Sequence, residues 1–313
     1  MQNKYLPEGS LIGTPENREY ISSLQGLERA AVQGRILEAT ALRCDGDMRL
    51  HVDLYGLRGV IERREAAYCR PGEPLKDIAV ITRVGKPVCF KVISIDHDEY
   101  GPVVRLSRRD AQLECTKNYL EDLIPGDIIP ATVTHLESFG AFVDVGCGIP
   151  SLLSVDCISV SRISHPRDRL CCGMPIRCVV RSVDTESGRI FVSMRELLGT
   201  WLENASRFEI GHTVAGTVRS VEDYGVFIEL APNLAGLAEL RDECRRPEPG
   251  QCAAVYIKNI IPERMKVKLV LIDSYFAERE PRSPQYFVDP NVRHLDRWLY
   301  SPPYARKIVE TVF

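Results

Sequence analysis

No stretch of this 313-residue chain approaches the ~18 consecutive apolar residues that a bilayer-crossing helix needs, so a membrane protein is not expected. Its start, MQNKYLPEGS, has no charged region leading into an apolar run, and a secretory signal is not expected. A basic excess is missing as well: 40 Lys and Arg stand against 43 Asp and Glu, a formal charge of −3. Any nucleic-acid binding must therefore rest on local cations and stacking rather than on a global positive field. The six histidines are scattered. There is no His-Glu-x-x-His, no phosphate loop and no Gly-x-Ser-x-Gly, nor any carboxylate cluster or nucleophile–base pair that would argue for a nuclease or other enzyme. Neither a metal nor a cofactor is expected. Cysteine, by contrast, is plentiful. Eleven residues without a secretion signal point to reduced thiols in a cytosol, and the adjacent Cys171 and Cys172 are poorly spaced for a joint zinc site.

What is present is a repeat. Segment 124–194 opens IPGDIIPATVTHLESFGAFVDVG and closes GMPIRCVVRSVDTESGRIFVSM; segment 208–273 opens FEIGHTVAGTVRSVEDYGVFIEL and closes GQCAAVYIKNIIPERMKVKLVLI. Each has a Gly turn, a long alternating strand, an aromatic-Gly-x-Phe step into a second strand, a short third strand, a variable loop and two further β-rich runs. Five short strands in ~70 residues suggest a small closed barrel of the OB type. A fainter copy lies at 31–108, enlarged by AYCRPGEPLKDIAVITRV. Residues 109–123 and 195–207 have helical apolar spacing and are expected to be short helical connectors. In residues 1–30, TPENREYISSLQGLERAA is expected to be a helix, with Thr14 as cap and Pro15 at its first position. Residues 274–313 form a tail rich in proline and aromatics, with a helix expected around NVRHLDRWLY. Its aromatics either dock on the last barrel or meet a partner or RNA. The expected fold is mainly β: three tandem five-stranded OB barrels joined by short helices.

The alternation in GAFVDV raises a question. Ala141, Val143 and Val145 point one way and Phe142 and Asp144 the other; in the later copy Val226, Ile228 and Leu230 oppose Phe227 and Glu229. If the aliphatic side faces the core, each copy leaves a phenylalanine outside beside an acid. A second aromatic precedes each glycine, Phe139 before Gly140 and Tyr224 before Gly225. The ring pairs are three residues apart, so a regular strand sends them to opposite faces, but the glycine permits a bend that brings both onto one. A flat ring on a barrel face stacks any unpaired base, at roughly 1–3 kcal/mol each and with little sequence preference.

The sequence LESFGAFVDVGCGIPSLLS…GMPIRCVVRSVDTESGRIFVSM resembles the S1 RNA-binding domain family, so the barrels are expected to be of S1 type. The resemblance covers most of the second and third copies and fades in the first; over the whole chain it extends to the bacterial ribosomal S1 family, in a short three-domain form. It implies single-stranded RNA lying across one barrel face. The face residues it implies in the second copy are Phe139, Phe142, Asp184 and Arg189, with Ser154 standing where the family has histidine. The third copy has Tyr224, Phe227 and Lys266, with Glu239 and Ile261 departing at the His and Asp positions. The first copy keeps Asp96 but has His51 for the second aromatic and Val103 for Arg. The expected rank of RNA contact is second copy, then third, then first.

Structural alternatives stand beside these roles. The phenylalanines are also able to pack against a neighbouring element, Arg189 to be a solvated turn residue, and Asp184 to cap the DTESG turn. The loop 157–173, CISVSRISHPRDRLCCG, offers Arg162, Arg167, Arg169 and His165 either as a basic lip beside the RNA face or as partners of local carboxylates. The function expected is cytoplasmic, non-enzymatic binding of single-stranded RNA such as mRNA by a monomer, in translation at the small ribosomal subunit. The alternative is a protein-interaction scaffold on the ribosome or an RNA-processing complex.

Overall fold

The structure, a computed structural model, describes residues 4–69, 72–184, 188–239, 246–277 and 283–313. The chain is mainly β. Its first five strands are β1 (Leu37–Cys44), β2 (Leu50–Leu54), β3 (Leu57–Ile61), β4 (Pro87–Asp98) and β5 (Gly101–Ser107). The next five are β6 (Ile128–Glu137), β7 (Gly140–Asp144), β8 (Pro150–Ser154), β9 (Pro175–Asp184) and β10 (Arg189–Ser193). A third set comprises β11 (Thr213–Glu222), β12 (Gly225–Ala231), β13 (Leu234–Glu239), β14 (Cys252–Ile261) and β15 (Lys266–Tyr275). Each set closes in the same cyclic order, with the first strand between the second and the fourth and the fifth between the third and the fourth. The third and fifth strands are parallel in every set. Closure leaves no unpaired edge.

The alternation behind these strands is visible in their burial. Ala141 and Val143, Val226 and Ile228, and Leu50 and Val52 point into the cores, while the residues between them face outward and are half-exposed. Each fully buried aliphatic side chain contributes about 1.5–3 kcal/mol. The fourth strand of every barrel carries one residue out of register with the fifth, namely Ile93, Arg181 and Lys258. This shared bulge fixes the alignment of the copies: beyond it Asp96 pairs with Val103, Asp184 with Arg189, and Ile261 with Lys266.

Contacts divide the chain into two compact units, one of residues 1–123, 130–132 and 144–150, the other of 124–129, 133–143 and 151–313. In the first unit Thr14 does cap a helix that begins at Pro15, but the expected single helix is two, α1 (Pro15–Ile21) and α2 (Leu24–Gln33). Ser23 ends the run by capping α2 through the Gly26 N–H. The insertion of the first copy holds a short helix, α3 (Asp77–Ile81). The connectors are α4 (Arg108–Cys115), which runs into a π turn at Thr116–Leu120, and α5 (Trp201–Ala205), which Gly199, with φ 84°, separates from a 3-10 turn at Arg195–Leu197.

The tail differs from expectation. No helix forms around Asn291–Tyr300; instead β16 (Arg297–Leu299) pairs antiparallel with β17 (Glu310–Val312). An extended backbone lets successive groups reach different partners. Tyr300 donates through Oη to Asn233 O (2.7 Å), and its own carbonyl accepts the Trp201 N–H (2.9 Å). Trp298 and Tyr300 join the core of the third barrel, while Tyr286, Val288, Val292, Leu295 and Phe313 pack against Ile128, Val179 and Leu197. Among the described residues no helix is long and apolar enough to cross a membrane.

Candidate nucleic-acid interface

In the middle barrel β6 and β7 are joined by a two-residue turn, Ser138–Phe139. A Cβ on Gly140 would come within 2.5 Å of the Leu153 carbonyl oxygen, so only glycine lets β7 lie this close to β8. The Val155 N–H donates to Phe139 O (2.9 Å), which ties the turn to the end of β8 beside Ser154. The result answers the spacing problem: the rings of Phe139 and Phe142 meet on one face, edge to face, with centroids 6.1 Å apart and planes at 89°.

The third barrel repeats this arrangement. Asp223–Tyr224 is the turn, a Cβ on Gly225 would stand 2.6 Å from Ala238 O, and Tyr224 meets Phe227 at 6.2 Å and 90°. Such contacts are the favoured geometry for aromatic pairs, and they hold the rings upright without burying them. Phe139 is 53% exposed and Tyr224 68%; Phe142 and Phe227 are half-exposed.

Asp184 and Arg189 face each other across the β9–β10 hairpin, both exposed. Lys266 occupies the Arg189 position of the third barrel, is exposed, and forms no ion pair with a described residue. Ser154, half-exposed, ends β8 and makes no capping hydrogen bond. At its equivalent in the third barrel Glu239 pairs with Lys258 at 3.3 Å.

The loop 157–173 separates the arginines. Arg169 leaves the proposed lip and forms a two-pronged bond to Glu229 (2.9 and 2.6 Å), with its Nε on Ser159. Arg162 is exposed but lines a cleft of about 430 Å³ together with Arg195 and Trp298. Arg167 is exposed, with no ion pair to a described residue.

Two expectations of exposure are corrected. Asp144 and Glu229, placed outward beside the phenylalanines by alternation, are buried. Asp144 accepts the N–H groups of Glu8 (2.7 Å), Gly146 (2.8 Å) and Gly148 (3.0 Å). Burial, reinforced by the Glu8 charge, pushes its pKa up to about 7. Burial also opposes ionisation of Glu8, but Arg108, 2.6 Å away, outweighs it and holds that carboxyl below the usual range. Glu229 is enclosed by Arg169 and by Arg219 (2.7 Å).

Sequence reasoning passed over two face residues, Phe191 of the middle barrel and Lys268 at the matching position of the third. Phe191 of β10 pairs in register with Leu152 and Ser182, in a row across the barrel face, and is half-exposed. Its signal was the alternation of buried Ile190 and Val192 around it. In the third barrel the same row reads Ser220, Phe227, Leu237, Lys268 and Asn259. In the first it reads Arg43, His51, Val60, Arg105 and Ser94. There His51 is held by Asp45 (3.0 Å), and Arg105 by Glu62 (2.5 Å) and Asp96 (3.2 Å). Among the described residues no group of three His, Cys, Asp or Glu is placed to hold a metal.

Residues 122–195 match the family model described as S1 RNA binding domain. The match spans the middle barrel from end to end. Beyond the S1 segment, the chain is similar to bacterial small ribosomal subunit proteins bS1. It is 26% identical to that of Rhodopseudomonas palustris over 229 residues, which are 71% of this chain and 38% of the relative. It is 28% identical to the Staphylococcus saprophyticus protein over 219 residues, 64% and 56% of the two chains. With the Leuconostoc lactis protein it shares 38% over 116 residues, 37% of this chain and 27% of the relative. The chain thus spans well under two thirds of these relatives' own length.

Proposed function

We propose that the chain binds single-stranded RNA, mRNA in particular, by stacking bases on the ring pairs of its middle and third barrels. All three barrels are read as OB folds of S1 type. The observation that carries the proposal is the recurrence, on two barrels at the same register, of an exposed edge-to-face ring pair held up by a glycine that no other residue replaces. Each ring presents a flat apolar surface to any base, and unpaired RNA supplies splayed bases that a duplex does not. Arg189 and Lys266, at matching positions on the two faces, supply phosphate attraction. Two weak platforms on one chain gain affinity through effective concentration. Because only the open state binds well, occupancy draws local duplexes toward opening. The similarity to bS1 proteins supports a non-enzymatic role in translation at the small ribosomal subunit, in the cytoplasm; in this reading the chain acts as a monomer without cofactor.

The test is fluorescence anisotropy of a labelled, unstructured RNA of ~20 nucleotides at two salt concentrations, with a matching duplex as competitor. Saturable binding that weakens with salt and that duplex displaces poorly is expected. Absence of binding at low salt sinks the proposal. A second reading, a protein-interaction scaffold, is favoured at one place only: the first barrel, whose corresponding face carries internally paired His51 and Arg105 instead of rings.

A further inference from the structure

The outer position at the centre of the fifth strand differs in all three barrels: Arg105, Phe191 and Lys268. Each stands in register with an apolar residue of the third strand, Val60, Leu152 or Leu237. In the third barrel that residue is in turn in register with Phe227, and in the first with His51. The position therefore lies two strands from the second ring of the platform, about 10 Å at the ordinary ~4.8 Å strand spacing. It also lies two residues along the fifth strand from Arg189 or Lys266, hence on the same side of the sheet.

We propose that this position sets how each barrel holds the strand: Phe191 is a third stacking surface of the middle barrel, and Lys268 is a phosphate contact of the third. The inference rests on the RNA reading of the same face. In the middle barrel a short apolar row, Leu152 and Phe191, extends the ring pair toward Arg189, so one more base finds a flat surface before the backbone meets a charge. Phe191 is half-exposed, as Phe142 is, between the fully inward Ile190 and Val192; nothing in the alternation forces an aromatic there. In the third barrel Lys266 and Lys268 are both exposed on one side of β15, and neither forms an ion pair with a described residue. Two ammonium groups on one face, neither paired to a described residue, suit neighbouring phosphates. In the first barrel Arg105 is bound by Glu62 and Asp96 and is withdrawn from this role.

The test uses the full chain and the fluorescein-labelled, unstructured ~20-nucleotide RNA. Phe191→Leu keeps an apolar side chain of similar reach but removes the ring, so loss of fold does not obscure the reading; Phe191→Ala is the stronger variant. The expected result is a fall in affinity of about 5- to 150-fold for Phe191→Ala, a smaller fall for Phe191→Leu, and an unchanged salt slope in both. Lys268→Gln is expected to reduce the slope of log affinity against log salt by about 0.7, the value for one phosphate contact on a single strand. If Phe191→Leu and Phe191→Ala bind as the parent does while Phe142→Ala binds more weakly, Phe191 is not a stacking surface and this inference is overturned with the RNA reading intact. An unchanged slope for Lys268→Gln overturns the phosphate contact. If Phe142→Ala also binds as the parent does, stacking on the face of the middle barrel falls, and this inference with it.

Discussion

The first and middle barrels share strand order, the parallel pairing of third and fifth strands, and the bulge in the fourth. Their outer faces have little in common. Where the middle barrel raises Phe142, the first has His51 bound to Asp45; where the middle has Phe191, the first has Arg105 clasped by two acids. At the Gly140 position the first barrel has Arg49, itself bound to Asp45. The inward residues specify the barrel, and they are mostly aliphatic in both copies, with Phe90 an aromatic in the core of the first. The outward residues specify what the barrel meets, and they vary freely because a strand separates the two sets by alternation. A face can thus lose its rings without cost to the fold. The middle and third barrels, which keep the rings, also keep the glycine that brings them together.

The largest expected effect sharpens this contrast at one aligned pair of positions, Glu229 and Asp53. Glu229→Ala leaves the largely buried Arg169 without its carboxylate and is expected to cost about 3–5 kcal/mol, seen as a lowered urea midpoint. Asp53→Ala, at an exposed site, is expected to change stability by less than about 0.5 kcal/mol. Equal effects would break the claim that the outer acid of the third barrel has become part of its packing.

Next in size is Gly140→Ala, whose Cβ meets the Leu153 carbonyl. A loss of about 1–3 kcal/mol is expected by overpacking, accompanied by weaker RNA binding as the ring pair is displaced. Unchanged melting and binding would show that the glycine does not position the rings.

A smaller effect follows from pH. Burial raises both Glu38 and Asp144 to about 7, whereas in the unfolded chain each ionises near its ordinary value of about 4. Between these values the folded state binds more protons than the unfolded one. The contribution is therefore fully present below about pH 4, declines as pH rises toward 7, and is flat above. Each group contributes a slope of at most about 1.4 kcal/mol per pH unit in that window. Urea midpoints measured from pH 5 to 8 are expected to show the decline flatten for Glu38→Gln, with the residual slope belonging to Asp144. A midpoint rising steadily over this range contradicts the assignment.

Much of this was legible in the chain. The repeated aromatic-Gly-x-Phe step marks the ring pair, and the closing β-rich runs place Arg189 and Lys266 in matching registers. What alternation alone does not reveal is an outward acid drawn inside by distant partners. Asp144 meets the N–H of Glu8, 136 residues away, and Glu229 meets Arg169 across 60 residues. The same cause hid which arginines of the loop 157–173 stay exposed. The tail strands escaped because so short a pair, β16 and β17, is stabilised by docking of Trp298 and Tyr300 rather than by its own pattern. Phe191 was legible by period and lay in plain view between two aliphatic residues.

The most direct test of the account titrates one labelled single-stranded RNA with the parent chain, with Phe142→Ala/Phe227→Ala, and with His51→Ala, each checked for folding by circular dichroism. The account predicts that the double variant, which loses two rings at about 1 kcal/mol or more each, binds at least about 30-fold more weakly while His51→Ala matches the parent. A folded double variant that binds RNA as tightly as the parent contradicts the stacking mechanism outright.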